Sequence, residues 1–109
     1  MIEYSIEYLD IFKHDLKNIV RYISIDLDNK KAAHDIVEKV YDKIEVLKHN
    51  PEMCQYYGFI KSLKKNYRYF VVENYIVFYE VDKNKKVITV HRILYKRMNI
   101  KNSKGLFGY

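Results

Sequence analysis

The chain has few of the residues that make small proteins depend on covalent cross-links or unusual backbone geometry. Its 109 residues include one cysteine, one proline, three glycines and no tryptophan. The single thiol, Cys54, excludes an intrachain disulfide and a cysteine-cluster metal site, and it suits a reducing compartment. We interpret it as an unreactive, partly buried side chain. With 49% apolar residues and so little glycine or proline, the composition excludes a collagen-like or low-complexity protein.

Long hydrophobic runs are also missing. No apolar run approaches the roughly 18 residues that a membrane-spanning helix needs. The N-terminus lacks the basic flank and apolar core of a secretory signal. We therefore expect a single cytoplasmic domain with no membrane partner.

Positive charge is concentrated in the second half of the chain. Residues 1–50 hold 8 Lys/Arg against 10 Asp/Glu, whereas residues 51–109 hold 12 against 4. The formal net charge of +6 therefore comes from the second half, which also carries eight of the 12 tyrosines. Basic groups interleaved with aromatic rings favour a polyanionic or acidic partner. The alternative is a solvated lysine-rich surface over a tyrosine-rich core.

Helical periodicity dominates the first half. Apolar residues recur at steps of three and four from Leu9 to Leu27, and Ser5 is a candidate N-cap for this helix. A second apolar stripe runs over residues 33–47, with Asp28 or Asn29 as its cap. Asn50-Pro51 ends it, because the residue before proline is disfavoured in the helical region. The short connection predicts an antiparallel helical hairpin.

The second half alternates with a period of two, which is typical of strands. Residues 67–73, 75–81 and 86–93 are rich in Val, Ile, Phe and Tyr, and Asn74 lies at the first reversal. With residues 1–4 as an extra strand, the order is β-α-α-β-β-β. We predict an α+β fold in which the hairpin covers one face of a small antiparallel sheet and the other face is exposed and basic. Tyr75 and Tyr79 are expected in the core and Tyr95 on the surface.

Two segments in this half resemble the RelE/ParE superfamily of bacterial type II toxins. They are RYFVVENYIVFYEVD at 68–82 and VHRILYKR at 90–97. Tyr22-Ile23, Ala32-Ala33 and Leu47 with Asn50-Pro51 follow the family's order upstream. The resemblance covers residues 2–100, and it defines a toxin domain at 1–100 with a basic, aromatic tail at 101–109. Within the superfamily the chain is most similar to the ParE-like, plasmid-stabilisation branch.

The resemblance implies a toxin that is neutralised by a cognate antitoxin and needs no cofactor. RelE-like members are metal-independent endoribonucleases that cut mRNA on the ribosome, and ParE-like members act on DNA gyrase. In the RelE strand that corresponds to residues 75–79, an arginine contacts phosphate, whereas this chain has Ile76. We therefore expect gyrase as the target, with mRNA cleavage as the alternative. A non-toxic basic binding module is the second alternative.

Candidate site residues follow from this comparison. If the chain were RelE-like, His91, Tyr95 and Arg97 would be the catalytic candidates, because they could transfer protons or offset phosphate charge. The expected target-binding residues are the cations of the second half: Lys61, Lys64, Lys65, Arg68, Arg92, Lys96 and Arg97.

Each candidate also has a purely structural interpretation. Strand alternation places His91 with Val87, Thr89 and Ile93, so His91 packs against the helices if that face is the buried one. Arg68 and Arg92 either form the binding face or pair with Glu73, Glu80 or Asp82 across strands. If Arg92 and Arg97 are exposed, replacing either by alanine removes toxicity and leaves the fold intact.

No metal site is expected from the sequence. His14, His34 and His49 are scattered over the two predicted helices. We interpret them as surface residues.

Overall fold

The computed structural model describes residues 3–57 and 67–97. Lys61, Lys64, Lys65 and the tail at 101–109 lie outside these ranges. The described elements are β1 (Ser5–Tyr8), α1 (Asp10–Arg21), a π-helical turn (Tyr22–Asp26), α2 (Lys30–Leu47), β2 (Arg68–Val72), β3 (Tyr75–Asp82) and β4 (Val87–Tyr95). Among these residues, no helix is both long and apolar enough to cross a membrane.

The four strands form one sheet in the order β1-β4-β3-β2. β2, β3 and β4 make the predicted antiparallel meander, and β1 joins the far edge of β4 in parallel. The helical hairpin that follows β1 supplies the long connection that such a parallel pairing requires. The α+β class and the predicted element order are therefore confirmed.

The N-terminal strand begins later than the sequence pattern predicts. The prediction of a strand at 1–4 followed by a helix capped by Ser5 is wrong, because Ser5 opens β1 and its N–H donates to the Lys86 carbonyl at 3.0 Å. Leu9 occupies the N-cap of α1 and makes no side-chain capping bond. Ile6 and Tyr8 pack on the core from β1, where the strand pairs with β4.

The two helices are joined at a widened turn. After α1, the Leu27 N–H donates to the Tyr22 carbonyl at 3.0 Å, five residues back, which is the spacing of a π-helix. The chain then reverses, and the Asn29 side chain accepts a hydrogen bond from the Ala32 N–H at 3.0 Å. Of the two predicted caps, Asn29 is therefore the one that begins α2.

Most of the apolar residues lie between the helices and the sheet. Phe12, Val40, Val77, Tyr79 and Val90 are completely buried there. Tyr79 also donates from its hydroxyl to the Pro51 carbonyl at 3.1 Å, and burial raises its pKa. Its place in the core, predicted together with that of Tyr75, is confirmed.

The opposite face of the sheet is not simply exposed and basic. Tyr67, Ile76, Phe78 and Leu94 form a second buried cluster there, which we call the outer cluster. Tyr57 and Tyr69 pack against it, and the Tyr57 ring meets the Phe78 ring edge-on at 4.9 Å. The expectation of an outward basic face is therefore wrong over the centre of the sheet.

A β-bulge shifts the side-chain alternation of β4. Val90 pairs with Tyr79 and Arg92 with Phe78, so His91 is one residue more than β3 has to match. Ile88 and Val90 face the helices before the bulge, and Ile93 does so after it. The predicted alternation through Val87, Thr89, His91 and Ile93 is wrong for this reason.

Arg92 leaves the bulge to clamp α1 onto the sheet. Its Nε and Nη2 donate to the two carboxylate oxygens of Asp15 at 2.7 and 2.8 Å, and the Ile93 N–H donates to the same carboxylate at 3.3 Å. The two side chains are only 12% and 11% exposed. Arg92 is therefore not the exposed cation that the sequence predicted, and its partner is none of the three carboxylates considered.

Replacing Arg92 by alanine should destabilise the fold. The change leaves the Asp15 carboxylate largely buried without its cation, and breaking such a pair costs about 3 kcal/mol. Urea denaturation of the purified protein measures the loss as a lower transition midpoint.

A double variant, Asp15→Leu with Arg92→Met, is the control for this effect. It removes both charges together and should recover most of the loss, since no buried charge is left unpaired. An Arg92→Ala protein with the wild-type midpoint would show that the clamp carries no stability.

The α2 cap can be tested in the same assay. Asn29→Ala removes the acceptor for the Ala32 N–H and should cost about 1 kcal/mol. Asn29→Ser keeps an acceptor at this position and should lie close to wild type. Equal losses in both variants would contradict a capping role.

Candidate functional site

The described candidates do not form one continuous basic patch. Arg68 of β2 pairs with Tyr79 of β3. Tyr95 of β4 pairs with Tyr75, which lies four residues from Tyr79 along β3. This offset is roughly 14 Å at the rise of an antiparallel strand. Arg68 and the end of β4 are also separated by the width of β3, since β2 and β4 lie on its two sides.

Arg68 holds the segment after α2 onto the edge of the sheet. Its guanidinium donates to the Cys54 carbonyl at 2.7 Å and to the Tyr56 hydroxyl at 2.9 Å, and it approaches the Glu52 carboxylate at 3.4 Å. Its guanidinium carbon also lies 4.0 Å from the centre of the Tyr56 ring. With the side chain only 10% exposed, Arg68 acts as an internal fastener rather than an accessible target contact.

His91 lies on the outer face of the sheet and is paired there. Its Nε2 is 2.6 Å from a carboxylate oxygen of Glu80, and the Tyr67 ring meets the imidazole edge-on at 4.7 Å. The side chains of His91 and Glu80 are 12% and 27% exposed. His91 therefore does not pack against the helices. Its imidazole contacts Glu80 and Tyr67 on the outer face instead.

The last residues of β4 and those that follow it are the accessible part of the predicted site. Tyr95, Lys96 and Arg97 are consecutive and exposed, which confirms the surface position expected for Tyr95. The Lys96 N–H donates to the Asn74 carbonyl at 2.8 Å and fixes this segment beside the β2–β3 turn. The Tyr95 ring packs edge-on against Tyr75, with ring centres 5.9 Å apart.

Position 76, which favoured gyrase in the sequence comparison, belongs to the outer cluster. Ile76 is 7% exposed and packs with Tyr67, Phe78 and Leu94. The strand therefore presents an apolar side chain, within an apolar cluster, at the place where the RelE pattern has a cation.

An open groove of about 740 Å³ lies between the helices and the β2–β3 turn. Sequence reasoning missed it, because its wall depends on the π-helical turn and on the approach of Tyr95 to Tyr75. We call it the hairpin groove, and its lining consists of Asn18, Ile19, Tyr22, Ile23, Leu27, Asn29, Ala32, Asp35, Ile36, Lys39, Glu73, Asn74, Tyr75 and Tyr95.

The electrostatics of the hairpin groove are set by one ion pair and three phenols. Lys39 donates to Glu73 across the opening, which raises the pKa of the lysine and lowers that of the carboxyl. Burial raises the pKa of Tyr75, and the nearby Tyr22 and Tyr95 hydroxyls add to the effect. The groove thus combines aromatic walls with a polar rim.

Asp15, which holds Arg92 in the fold, is a partner that the sequence could have revealed. It stands three residues after Phe12 and one before Leu16, on the apolar stripe of α1. A carboxylate in such a position must pair or remain solvated, so its place predicts a basic partner on the surface that α1 covers.

The described histidines other than His91 are on the surface. His14, His34 and His49 are exposed, as the sequence predicted, and His34 pairs with Glu38 on α2 at 3.0 Å. Cys54 is partly buried, also as predicted. Within residues 3–57 and 67–97, no group of three or more His, Cys, Asp or Glu side chains is arranged to hold a metal ion.

Comparison with known proteins agrees with this architecture. A chain of the crystallised toxin–antitoxin complex RelBE2 from Mycobacterium tuberculosis matches with a TM-score of 0.54 and 13% identity, over 86% of this chain and 99% of that one. At this identity the likeness establishes the fold alone. No curated protein matches the sequence.

The family assignment comes from the sequence profile of a toxin family. The profile of the ParE toxin of type II toxin–antitoxin systems, parDE, matches residues 6–100. The match spans most of β1, both helices and the whole meander. The chain therefore belongs to the ParE toxin family of type II toxin–antitoxin systems.

Proposed function

We propose that this toxin arrests bacterial growth by inhibiting DNA gyrase and that it does not cleave RNA. The observation that carries the proposal is the burial of Ile76 in the outer cluster. A nuclease needs cations that offset charge on the scissile phosphate. Here an apolar side chain fills the position that supplies one of them in the RelE pattern.

The state of the arginines supports the same conclusion. The guanidinium groups of Arg68 and Arg92 are engaged with Glu52 and Asp15, with backbone carbonyls, and with the Tyr56 phenol. Neither is placed as an accessible phosphate contact. The proposed contact with gyrase is made instead by Tyr95, Lys96 and Arg97.

Long-range charge would assist this contact. Lys61, Lys64 and Lys65, which lie outside the described residues, add to the positive charge of the second half of the chain. Such cations accelerate encounter with an acidic surface without needing a fixed geometry. We assign them a steering role.

A second candidate function, mRNA cleavage on the ribosome, is favoured by one observation. His91 and Glu80 form a close imidazole–carboxylate pair on the outer face, and such a pair can orient and tune a general base. In that case His91 would move the proton of the attacking 2′-hydroxyl, and Tyr95 or Arg97 would assist at the leaving group or the phosphate.

We also propose that a cognate antitoxin neutralises the chain. The helical layer exposes Ile11, Tyr41 and Val46, and the chain is basic overall. An acidic, amphipathic segment that folds as it binds could cover these apolar side chains and offset the charge.

The target can be decided by measuring both activities after induced expression. We expect growth arrest with a DNA-damage response, intact messages in primer extension, and loss of supercoiling when purified protein is added to gyrase. Ribosome-dependent cuts in the message that disappear in His91→Gln would establish the second candidate instead. Growth that continues unchanged would favour a non-toxic binding module.

Arg97→Ala should reduce gyrase inhibition about tenfold, equivalent to about 1.4 kcal/mol of binding free energy. Its side chain is exposed, so stability should change by less than about 0.5 kcal/mol. Arg21→Ala is the matched control, because Arg21 is an exposed arginine at the end of α1 and does not belong to the proposed contact with gyrase. Equal inhibition by Arg97→Ala and wild type would remove Arg97 from the contact.

The antitoxin proposal is tested with the protein encoded next to this toxin. Co-expression should rescue growth, and size-exclusion chromatography should show a stable complex. Calorimetry should give a negative heat-capacity change, because apolar surface is buried on binding. No complex and no rescue would contradict the proposal.

A further inference from the structure

Three tyrosines and one partly buried carboxylate meet in the hairpin groove. Tyr22 and Tyr95 are 50% and 41% exposed. Burial raises the pKa of Tyr75, and the other two tyrosines lie close enough to add to this effect. Asp35 of α2 lines the same groove and is partly buried. Aromatic rings beside a carboxylate bind organic cations, because the ring faces and the carboxylate are both electronegative.

The charge of the groove is opposite in sign to that of the chain. Asp35, Lys39 and Glu73 are the charged residues of its lining, so two carboxylates face one ammonium group, whereas the whole chain carries a net charge of +6. Lys39 donates to Glu73 and lowers the pKa of its carboxyl, and the nearby Lys96 adds to the effect. Glu73 is therefore already neutralised. Within the part of the chain that the structure describes, Asp35 has no ion-pair partner, so its carboxylate is the one left for a ligand.

The tyrosine rings of the groove are likewise not occupied by a cation from the described residues. The contacts between a cation and a ring in this part of the chain involve Tyr4 and Tyr56, and neither lines the groove. The Tyr56 ring is covered by Arg68, whose guanidinium carbon lies 4.0 Å from the ring centre. Tyr22 and Tyr95 offer the same kind of ring face without such a partner.

An arginine side chain fits this groove better than a lysine side chain does. A guanidinium group is planar, so it can stack on an aromatic ring while it donates two parallel hydrogen bonds to a carboxylate. A lysine ammonium group is a strongly hydrated point charge and loses more when it leaves water. The aliphatic stem of an arginine can pack on Ile19 and Leu27, which also line the groove. The groove volume of about 740 Å³ lies within the range of about 300–1,000 Å³ that is usual for ligand pockets.

The groove adjoins the proposed contact with gyrase. Tyr95 belongs to that contact and also lines the groove. The next residue, Lys96, donates its N–H to the carbonyl of Asn74, which is another lining residue. A protein surface that covers the end of β4 therefore reaches the groove without leaving the toxin.

We propose that the hairpin groove binds an arginine side chain of gyrase, with its stem against the rings of Tyr22 and Tyr95 and its guanidinium paired with Asp35. This inference rests on the proposed function, since gyrase supplies the arginine. Lys96 and Arg97 then face acidic groups of the same target, whereas Asp35 takes a basic one. Such an arrangement of both signs fixes the register of two surfaces.

The pairing is tested by Asp35→Asn, which removes the charge and keeps the size and helix propensity of the side chain. Inhibition of gyrase should weaken about tenfold, equivalent to about 1.4 kcal/mol of binding free energy. Asp42→Asn is the matched control, because Asp42 is an exposed aspartate of the same helix and does not line the groove. It raises the net charge equally and should leave inhibition unchanged. Circular dichroism checks that both variants are folded.

The aromatic wall is tested at Tyr22 in the same assay. Tyr22→Leu removes the ring face and should weaken inhibition about threefold, which is the scale of an exposed contact between a cation and a ring. Tyr22→Phe keeps the ring and should stay close to wild type.

Direct binding is measured with a small probe and does not require gyrase. Millimolar N-acetylarginine methylamide should shift the ring signals of Tyr22 and Tyr95 in NMR spectra of protein with ¹³C-labelled tyrosine. The citrulline counterpart has the same shape without the charge and should leave these signals in place. Asp35→Asn should abolish the shifts that the arginine probe causes.

Different outcomes separate this inference from the proposed function. Equal inhibition of gyrase by Asp35→Asn and wild type would overturn the inference, and so would equal shifts with the arginine and citrulline probes. Weaker antitoxin binding by Asp35→Asn with unchanged inhibition of gyrase would overturn it too, because it would assign the groove to the antitoxin. Unsubstituted toxin that fails to inhibit gyrase would contradict the proposed function and, with it, gyrase as the source of the arginine.

Discussion

The clamp between Asp15 and Arg92 determines how α1 and the sheet fit together. Its bidentate geometry joins the middle of the first helix to the bulge of β4. His91 follows the helix-facing Val90 and lies on the outer face, and the extra residue in β4 then returns Ile93 to the helix-facing core. Because β4 lies between β1 and β3, this one irregularity sets the composition of both faces of the sheet. A regular strand would keep His91 and Ile93 on the same face, because side chains alternate with a period of two.

The same clamp shows that charge along the sequence does not measure accessible charge. Arg68 and Arg92 contribute to the basic character of the second half, yet each fastens one part of the fold to another. The described cations left at the surface near the predicted site, Lys96 and Arg97, follow β4. A site built from these exposed groups and Tyr95 suits recognition of a protein surface better than phosphate chemistry, which needs cations converging on one oxygen. This contrast links the packing of the sheet to the proposed action on gyrase.

Local patterns predicted the elements well where one face of an element is buried. The three strands of the meander and α2 were located to within a few residues, because their apolar period matches their geometry. The family resemblance was confirmed by the profile of the toxin family, which matches residues 6–100. The prediction failed at β1, which was expected at residues 1–4 but pairs with β4 over Ser5–Tyr8. The predicted alternation of β4 also failed beyond Val90, because a pattern of period two does not show where an extra residue is inserted.

The sequence by itself determined the α+β class, the order of the elements, the cap at residue 28 or 29, and membership of a toxin family. These properties depend on periodicity and on short motifs, which are local. Only the tertiary structure decided that Arg92 meets Asp15, that His91 meets Glu80, and that the hairpin groove opens beside Tyr95. Those contacts join residues that are far apart along the chain, or follow from a bulge and a π-helical turn. Their geometry is set by packing between elements, which no local pattern encodes.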